Sequence, residues 1–314
     1  MRCRIILAAF WLGTGTAALA QVGVPQMGWV PDGTRIRPVY GIPAAAAVGA
    51  PVPADQDFSQ MAASPAGDYA LVSAADDGRV SIYTPEHGLI PLAGAGGAPD
   101  IVVLSPRGSS AALWFSSVNQ VQVVTGLPDA AAIRQMDAAF LRSTPGALAV
   151  SDDGAWVSGA WSQGVYTFGP NGEVDRLPID NIATLAFFQG SHDLAAAGAS
   201  GLHRVTGIGG FAVVTSLLAS DDSSLQPVAV AVVSGNRTLL LADRSGLVTA
   251  VDIDSGIVTS FDCGCQVEGL FGMGRSSFRL TSLRDGAIKL FDTALGEVLF
   301  APVARLPEAE GAAQ

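Results

Sequence analysis

The sequence predicts an all-β chain, a β-propeller of seven blades with about four antiparallel strands each, and three observations predict it. A Gly-containing polar turn leading into a short apolar strand recurs six times. Its marker glycines, Gly67, Gly108, Gly154, Gly190, Gly235 and Gly274, stand 41, 46, 36, 45 and 39 residues apart. A Gly-led hairpin follows each of several copies: "DGAIKLFDTALGEVLF" (285–300) spaces Gly286 and Gly296 as "SGLVTAVDIDSGIVTSF" spaces Gly246 and Gly256. Upstream of the turns lie apolar stretches such as "DIVVLS" (100–105), "ALAVS" (147–151) and "PVAVAVVS" (227–234). Period-2 alternation broken by Gly, Asn, Asp or Pro is a hairpin signal. Four strands in about 40 residues is the period of a propeller blade.

The elements follow in order. Arg2 and Arg4 precede the 16-residue apolar stretch "IILAAFWLGTGTAALA", which ends in Ala18-Leu19-Ala20 before Gln21. Charged start, apolar middle and small-residue cleavage site make residues 1–20 a signal peptide. The stretch is shorter than the roughly 20 residues a bilayer span needs. The mature chain is therefore expected to be secreted or periplasmic, with no membrane span after cleavage. Residues 21–303 form the propeller. "GWVPDGTRIRPVYGIPAAAAVGAPV" (28–52) holds a hairpin and a further apolar stretch, most of a seventh blade, and six complete units run from about 57 to 303. Six blades plus an N-terminal hairpin is the alternative. "PDAAAIRQMDAAFLRS" (128–143) has Ile133, Met136 and Phe140 at helical spacing. Repeat phase nevertheless assigns "AIRQMDAAFL" as largely extended. Residues 304–314, Ala/Gly-rich and charged, are read as a disordered tail.

Composition narrows the function. Without Arg2 and Arg4 the chain carries 15 basic and 28 acidic residues, and Lys289 is its only lysine. Nucleic acid and anionic lipid demand clustered positive charge, so neither is an expected partner. Cys263 and Cys265 in "FDCGCQ" remain after processing. An oxidising compartment permits a disulfide between them, although residues i and i+2 of a strand lie ~6.6 Å apart, near the limit for a bridge. Two small packed side chains are the other reading, and a reactive or metal-binding pair a third.

Catalytic motifs mostly fail. No G-x-S-x-G, H-E-x-x-H or P-loop pattern occurs. "GIGGFA" (207–212) matches a dinucleotide fingerprint on paper but sits in a hairpin, with no helix to receive a pyrophosphate. Asp76-Asp77, Asp152-Asp153 and Asp221-Asp222 fall in turns, where Asp accepts backbone N–H bonds. "DIDSG" (252–256) starts like a calcium loop but lacks the third acid and the distal Glu. His87 and His192 lie in turns, His192 beside Asp193, and His203 lies mid-strand. No catalytic residue, metal ligand or cofactor is assigned. The candidates for interaction or channel positions are Trp156, Trp161, His203, Asp243 and Asp285. Of the two tryptophans, five apart and so on opposite strand faces, one is expected between blades and the other at a surface.

"SPAGDYALVSAADDGRVSIYTP" (64–85) resembles the SPDG-type repeat of YVTN-like exported propellers. "DGAIKLFDTALGEVL" is similar to the last strands of a WD40 repeat, with Phe291-Asp292 at the Trp-Asp position. "TAVDIDSGIVTSF" (249–261) resembles repeats of pyrroloquinoline-quinone-type propellers, which include non-enzymatic scaffolds. These resemblances imply a fold suited to binding. The favoured function is an exported, non-enzymatic propeller that binds a protein, peptide or glycan on its loop-bearing faces. The alternative is a lactonase-like or quinone-dependent enzyme with a metal or cofactor at the channel mouth. That chemistry needs convergent polar groups, for which Asp100, His203, Asp243 and Asp285 are the candidates.

Overall fold

The computed structural model describes residues 24–219, 225–233, 235–274, 276–283 and 286–304. The leader (1–20), the tail from 305 onward, Asp221-Asp222 and Asp285 lie outside the described residues.

Seven antiparallel sheets follow one another along the chain. Blade 1 has three strands, β1 (Gln26–Asp32), β2 (Arg35–Tyr40) and β3 (Ala47–Val48). Blade 2 comprises β4 (Phe58–Ala63), β5 (Ala70–Ala74), β6 (Val80–Thr84) and β7 (Gly88–Pro91). Blade 3 comprises β8 (Ile101–Leu104), β9 (Ser110–Phe115), β10 (Gln120–Thr125) and β11 (Ala132–Asp137). Blade 4 comprises β12 (Ala147–Val150), β13 (Val157–Trp161), β14 (Gly164–Phe168) and β15 (Val174–Arg176). Blade 5 comprises β16 (Ile182–Phe187), β17 (Leu194–Gly198), β18 (Gly201–Thr206) and β19 (Val213–Ala219). Blade 6 comprises β20 (Pro227–Val232), β21 (Thr238–Asp243), β22 (Leu247–Asp252) and β23 (Val258–Asp262). Blade 7 comprises β24 (Phe271–Met273), β25 (Ser277–Arg279), β26 (Ala287–Asp292) and β27 (Glu297–Pro302). The segment with mixed signals, 128–143, is mostly extended: β11 occupies Ala132–Asp137, and one 3-10 turn follows at Ala139–Leu141.

Seven hydrophobic clusters, one at each junction between neighbouring blades, close the sheets into a ring. Trp29, Ile36, Phe58 and Val72 join blades 1 and 2, and Leu71, Ile82, Leu113 and Val124 join 2 and 3. Trp114, Val121, Leu148 and Trp161 join 3 and 4, followed by clusters around Trp156 and Phe187, Leu202 and Leu239, and Leu240 and Phe291. Met27, Val30 and Val39 meet Met273, Ile288 and Leu290 to complete the circle. The fold is an all-β, seven-bladed propeller.

Two features of the ring have physical causes. Burial peaks on the second strands, since β5, β9, β13, β17 and β21 are almost wholly buried while every residue of β8 is only half-buried. An innermost strand pairs on one edge only, and its other edge faces the axial cavity. Blade 1 has three strands, as the hairpin and further apolar stretch of 28–52 led one to expect. The chain beyond β27 lies alongside it, with Val303 bridging Val48 in parallel and the Ala304 amide donating to Val48 O at 2.8 Å. The outer edge of blade 1 is thus covered where it would otherwise present unpaired backbone.

Repeat residues earn their places through backbone bonds. Asp252 and Asp292 end β22 and β26 at the same phase, and each accepts from the next turn. Asp252 Oδ1 takes the Ser255 amide at 2.8 Å, and Asp292 Oδ1 takes the Ala294 and Leu295 amides at 3.0 Å each. The conspicuous "DIDSG" is therefore a carboxylate-capped hairpin turn. The Gly that leads the third strand is demanded by conformation: Gly246 has φ +106°, and a Cβ there would lie 2.4 Å from Cys265 O.

Candidate functional site

One end of the ring carries the turns between first and second strands and those between third and fourth strands; we call it the turn face. The turns at equivalent positions are tied across blades. The Tyr69 hydroxyl donates to Gly108 O, from blade 2 to blade 3. Ser110 Oγ donates to Ser151 O at 2.5 Å. Asn236 and Gln189 exchange two bonds at 2.8 and 2.7 Å, joining blades 5 and 6. The Gly274 amide donates to Pro65 O at 2.8 Å, so blades 7 and 2 touch directly on the inner side of blade 1.

Asp152 and Asp153 form the densest of these ties. Asp152 Oδ1 accepts the Arg107 amide of blade 3 at 2.8 Å, and Oδ2 accepts the Gly190 amide of blade 5 at 2.7 Å. One carboxylate in blade 4 thus joins three blades. Asp153 Oδ1 accepts Ser151 Oγ at 2.6 Å and the Ala155 amide at 2.9 Å, while Oδ2 pairs with His192 Nε2 at 2.8 Å. Burial pushes the Asp153 carboxyl up, but the bonds from Ser151, His192 and Ala155 outweigh it and hold it down at about 2. Arg107, Ser109, Asp152, Asp153 and His192 line a recess here of about 390 Å³.

Sequence reasoning placed both aspartates correctly in a turn and noted His192 beside Asp193, but assigned the histidine no partner. The structure pairs it with Asp153, 39 residues away, and Asp193 instead binds Arg204. The recurrence of SDDG and QGSHD at one repeat phase was the available signal. Among the described residues no hydroxyl bonds to His192, so the pair serves as an inter-blade tie.

The axial cavity has a volume of about 690 Å³. Its wall comes from the six inner strands β4, β8, β12, β16, β20 and β24, with Met61, Val102, Leu148, Leu185, Val230 and Phe271 among the lining side chains. No residue of blade 1 reaches it. Among the described residues two charged side chains do: Arg107 at the turn-face rim and Arg279 on β25.

The channel positions proposed from sequence need correction. His203 lies on β18, the third strand of its blade, and is half-buried against Ser200 Oγ at 2.9 Å. Burial pushes its imidazole pKa down. Asp243 ends β21, where it accepts the Gln226 and Ser245 amides. Asp100 caps the Ser116 amide at 2.7 Å. None of the three borders the cavity. Asp100 and Asp243 cap backbone amides in an inter-blade loop and at the end of a second strand, His203 sits within a third strand, and blade geometry keeps those positions off the axis.

Trp156 and Trp161 do lie on opposite faces of blade 4, packed toward blades 5 and 3 respectively. Neither reaches a surface, because both are buried. The most exposed aromatic among the described residues lies nearby and was missed. Phe211, at the tip of the β18–β19 hairpin, is 95% exposed. Gly209 of that tip sits so close over the Trp156 indole that a Cβ would fall 2.4 Å from it. "GIGGFA" is therefore a hairpin tip that presents Phe211.

Cys263 and Cys265 are bonded to each other. Lys289 Nζ donates to Cys263 O and Gly264 O at 2.8 Å each, so the single lysine clamps this loop. Among the described residues no three His, Cys, Asp or Glu side chains gather as a metal site would require, and no helix is long and apolar enough to cross a membrane.

Comparisons with known proteins add little beyond architecture. No protein-family profile matches the chain, and no curated protein matches it. Among solved structures, the chain is similar to the Myceliophteria thermophila Cps50 (Swd1) beta-propeller domain. The match has 16% identity and a TM-score of 0.48, and covers 63% of this chain and 66%, just under two thirds, of that one. The seven sheets and their closure, rather than this likeness, establish the fold.

Proposed function

We propose that this chain is an exported, non-enzymatic propeller that binds a protein, peptide or glycan partner through its turn face. The observation that carries the reading is Phe211. A side chain of this size left 95% in water, on a hairpin braced against a buried tryptophan, is a rigid apolar anchor of the kind that dominates binding surfaces. Beside it, the Arg107–Asp152–Asp153–His192 recess supplies charged and hydrogen-bonding groups for a polar rim. A sewn ring presenting many short loops is a scaffold on which loop residues can change without disturbing the core.

Export rests on the N-terminus, where Arg2, Arg4, the apolar run and Ala18-Leu19-Ala20 read as a cleaved leader. The Cys263–Cys265 bond suits an oxidising compartment.

The test is capture from an envelope extract of the source organism with mature chain beginning at Gln21, side by side with Phe211→Ser. A partner retained by the parent and lost by the variant, with unchanged melting temperature, supports the reading. Identical capture profiles, or recovery of the native protein in the cytoplasm with its leader intact, would refute it.

A further inference from the structure

The axial cavity contains a buried charge without an adequate partner. Arg279 is 5% exposed and borders the cavity. Its guanidinium carbon lies 4.0 Å over the Phe271 ring, which covers one face. Nη1 donates to Thr281 O at 3.0 Å. Nε is buried and, among the described residues, has no hydrogen-bond partner. Glu268 contributes charge from a distance, with its Oε2 engaged by the Ser282 amide at 2.9 Å and by the Ser282 hydroxyl. Burial pushes the arginine down to about 10, against the opposing pull of Glu268. The group therefore remains cationic at neutral pH.

The surroundings restrict what can pair with it. No carboxylate is among the described residues lining the cavity, and the other charged group there, Arg107, is also basic. Arg107 Nε lies 3.7 Å from Asp152 Oδ2, so among the described residues the positive charge of the chamber rests on Arg279. Most of the wall is aliphatic or aromatic, with Met61, Val102, Leu148, Leu185 and Val230 contributed by five different blades, while Ser105 and Gln189 add polar groups. A volume of about 690 Å³ falls within the roughly 300–1,000 Å³ of small-molecule sites.

We infer that the axial cavity binds a small amphipathic organic acid, with its carboxylate on Arg279 and its apolar body along the inner strands. A guanidinium bordering the chamber offers charge-assisted N–H donors that a carboxylate accepts. Pairing neutralises the buried charge, while the tail displaces water from apolar wall. Inorganic phosphate would meet the charge but leave the wall wet. A neutral alcohol would fill the wall but leave the charge unmatched. Arg279 lies outside the turn-face recess, although the two share Arg107 at the rim, and binding at Arg279 does not require a partner docked on Phe211.

Calorimetric titration of the mature chain with decanoate, decanol and inorganic phosphate tests the assignment. Decanoate is expected to bind roughly 10–100-fold more tightly than either of the others, the span of one charge-assisted hydrogen-bonded pair. Arg279→Met is expected to bring decanoate to the decanol level and leave decanol unchanged. Val102→Trp, which fills the chamber from the opposite side and keeps the arginine, is expected to abolish both, and it carries the test if Arg279→Met fails to fold. Equal binding of decanoate and decanol would overturn the inference. So would decanoate binding that survives Val102→Trp, or the absence of decanoate binding up to its solubility limit.

Discussion

Replacing Asp152 by alanine tests whether polar ties between blades, and not the apolar clusters alone, hold the ring. The carboxylate is 9% exposed and accepts the amides of Arg107 at 2.8 Å and Gly190 at 2.7 Å, one from each neighbouring blade. Truncation leaves both N–H groups without a partner at a junction that water reaches only from the turn face. Each such loss costs about 1–3 kcal/mol, toward the low end where water can substitute, so the pair amounts to about 2–3 kcal/mol. For a chain of this size each kcal/mol lowers Tm by about 2–4 °C, giving a drop of roughly 5–10 °C in a thermal melt followed by far-UV circular dichroism at neutral pH. Asp76→Ala is the control. Among the described residues its carboxylate bonds only to the adjacent Asp77 amide, and the expected change is within about 0.5 kcal/mol. If the two variants melt together, the bonds through Asp152 contribute nothing beyond local turn structure, and the account of the ring as sewn across its turns is wrong.

Three further outcomes are expected. Gly198→Ala at the end of β17 would set a Cβ 2.1 Å from Asn181 O, a clash with backbone that only a shift of β16 can relieve; loss of more than about 3 kcal/mol is expected in urea titration, and a near-parental midpoint would show that the strand start yields freely. Asp153 has a carboxyl held at about 2 against roughly 3.9 in an unfolded chain. Its contribution is complete above about pH 4 and lost as pH falls toward about 2, so the Tm gap between the parent and Asp153→Asn should shrink over that window; a gap constant from pH 6 to pH 2 would contradict the assignment. Reduction of Cys263–Cys265 should lower Tm by only a few degrees, since a ring closed over two residues removes little unfolded-state entropy, about 1–2 kcal/mol, and Lys289 still holds the loop through Cys263 O and Gly264 O. A collapse of the melt on reduction would show the bond to be essential to blade closure.

Much of the architecture was legible along the chain because it is local. The Gly-led hairpins at Gly246 and Gly286 became β22–β23 and β26–β27 in the expected order. The 128–143 segment followed repeat phase over helical spacing, because Val121 and Val123 of β10 offered β11 a paired edge. The site was far less legible. His192 could not be matched with Asp153 from adjacency, since the ring brings equivalent turns together across a whole repeat. Arg279 drew no notice because, by sequence, it is one arginine in an ordinary apolar strand.

The amino-acid order alone therefore determined the repeat, the strand phase and the turn chemistry, all of which depend on residues within a few positions of one another. Tertiary structure alone decided that blade 1 stays off the axis, which aspartate receives which blade, and that an arginine faces a largely apolar chamber. Those outcomes depend on groups about forty or more residues apart, whose meeting is set by the closure of the ring and not by any local preference.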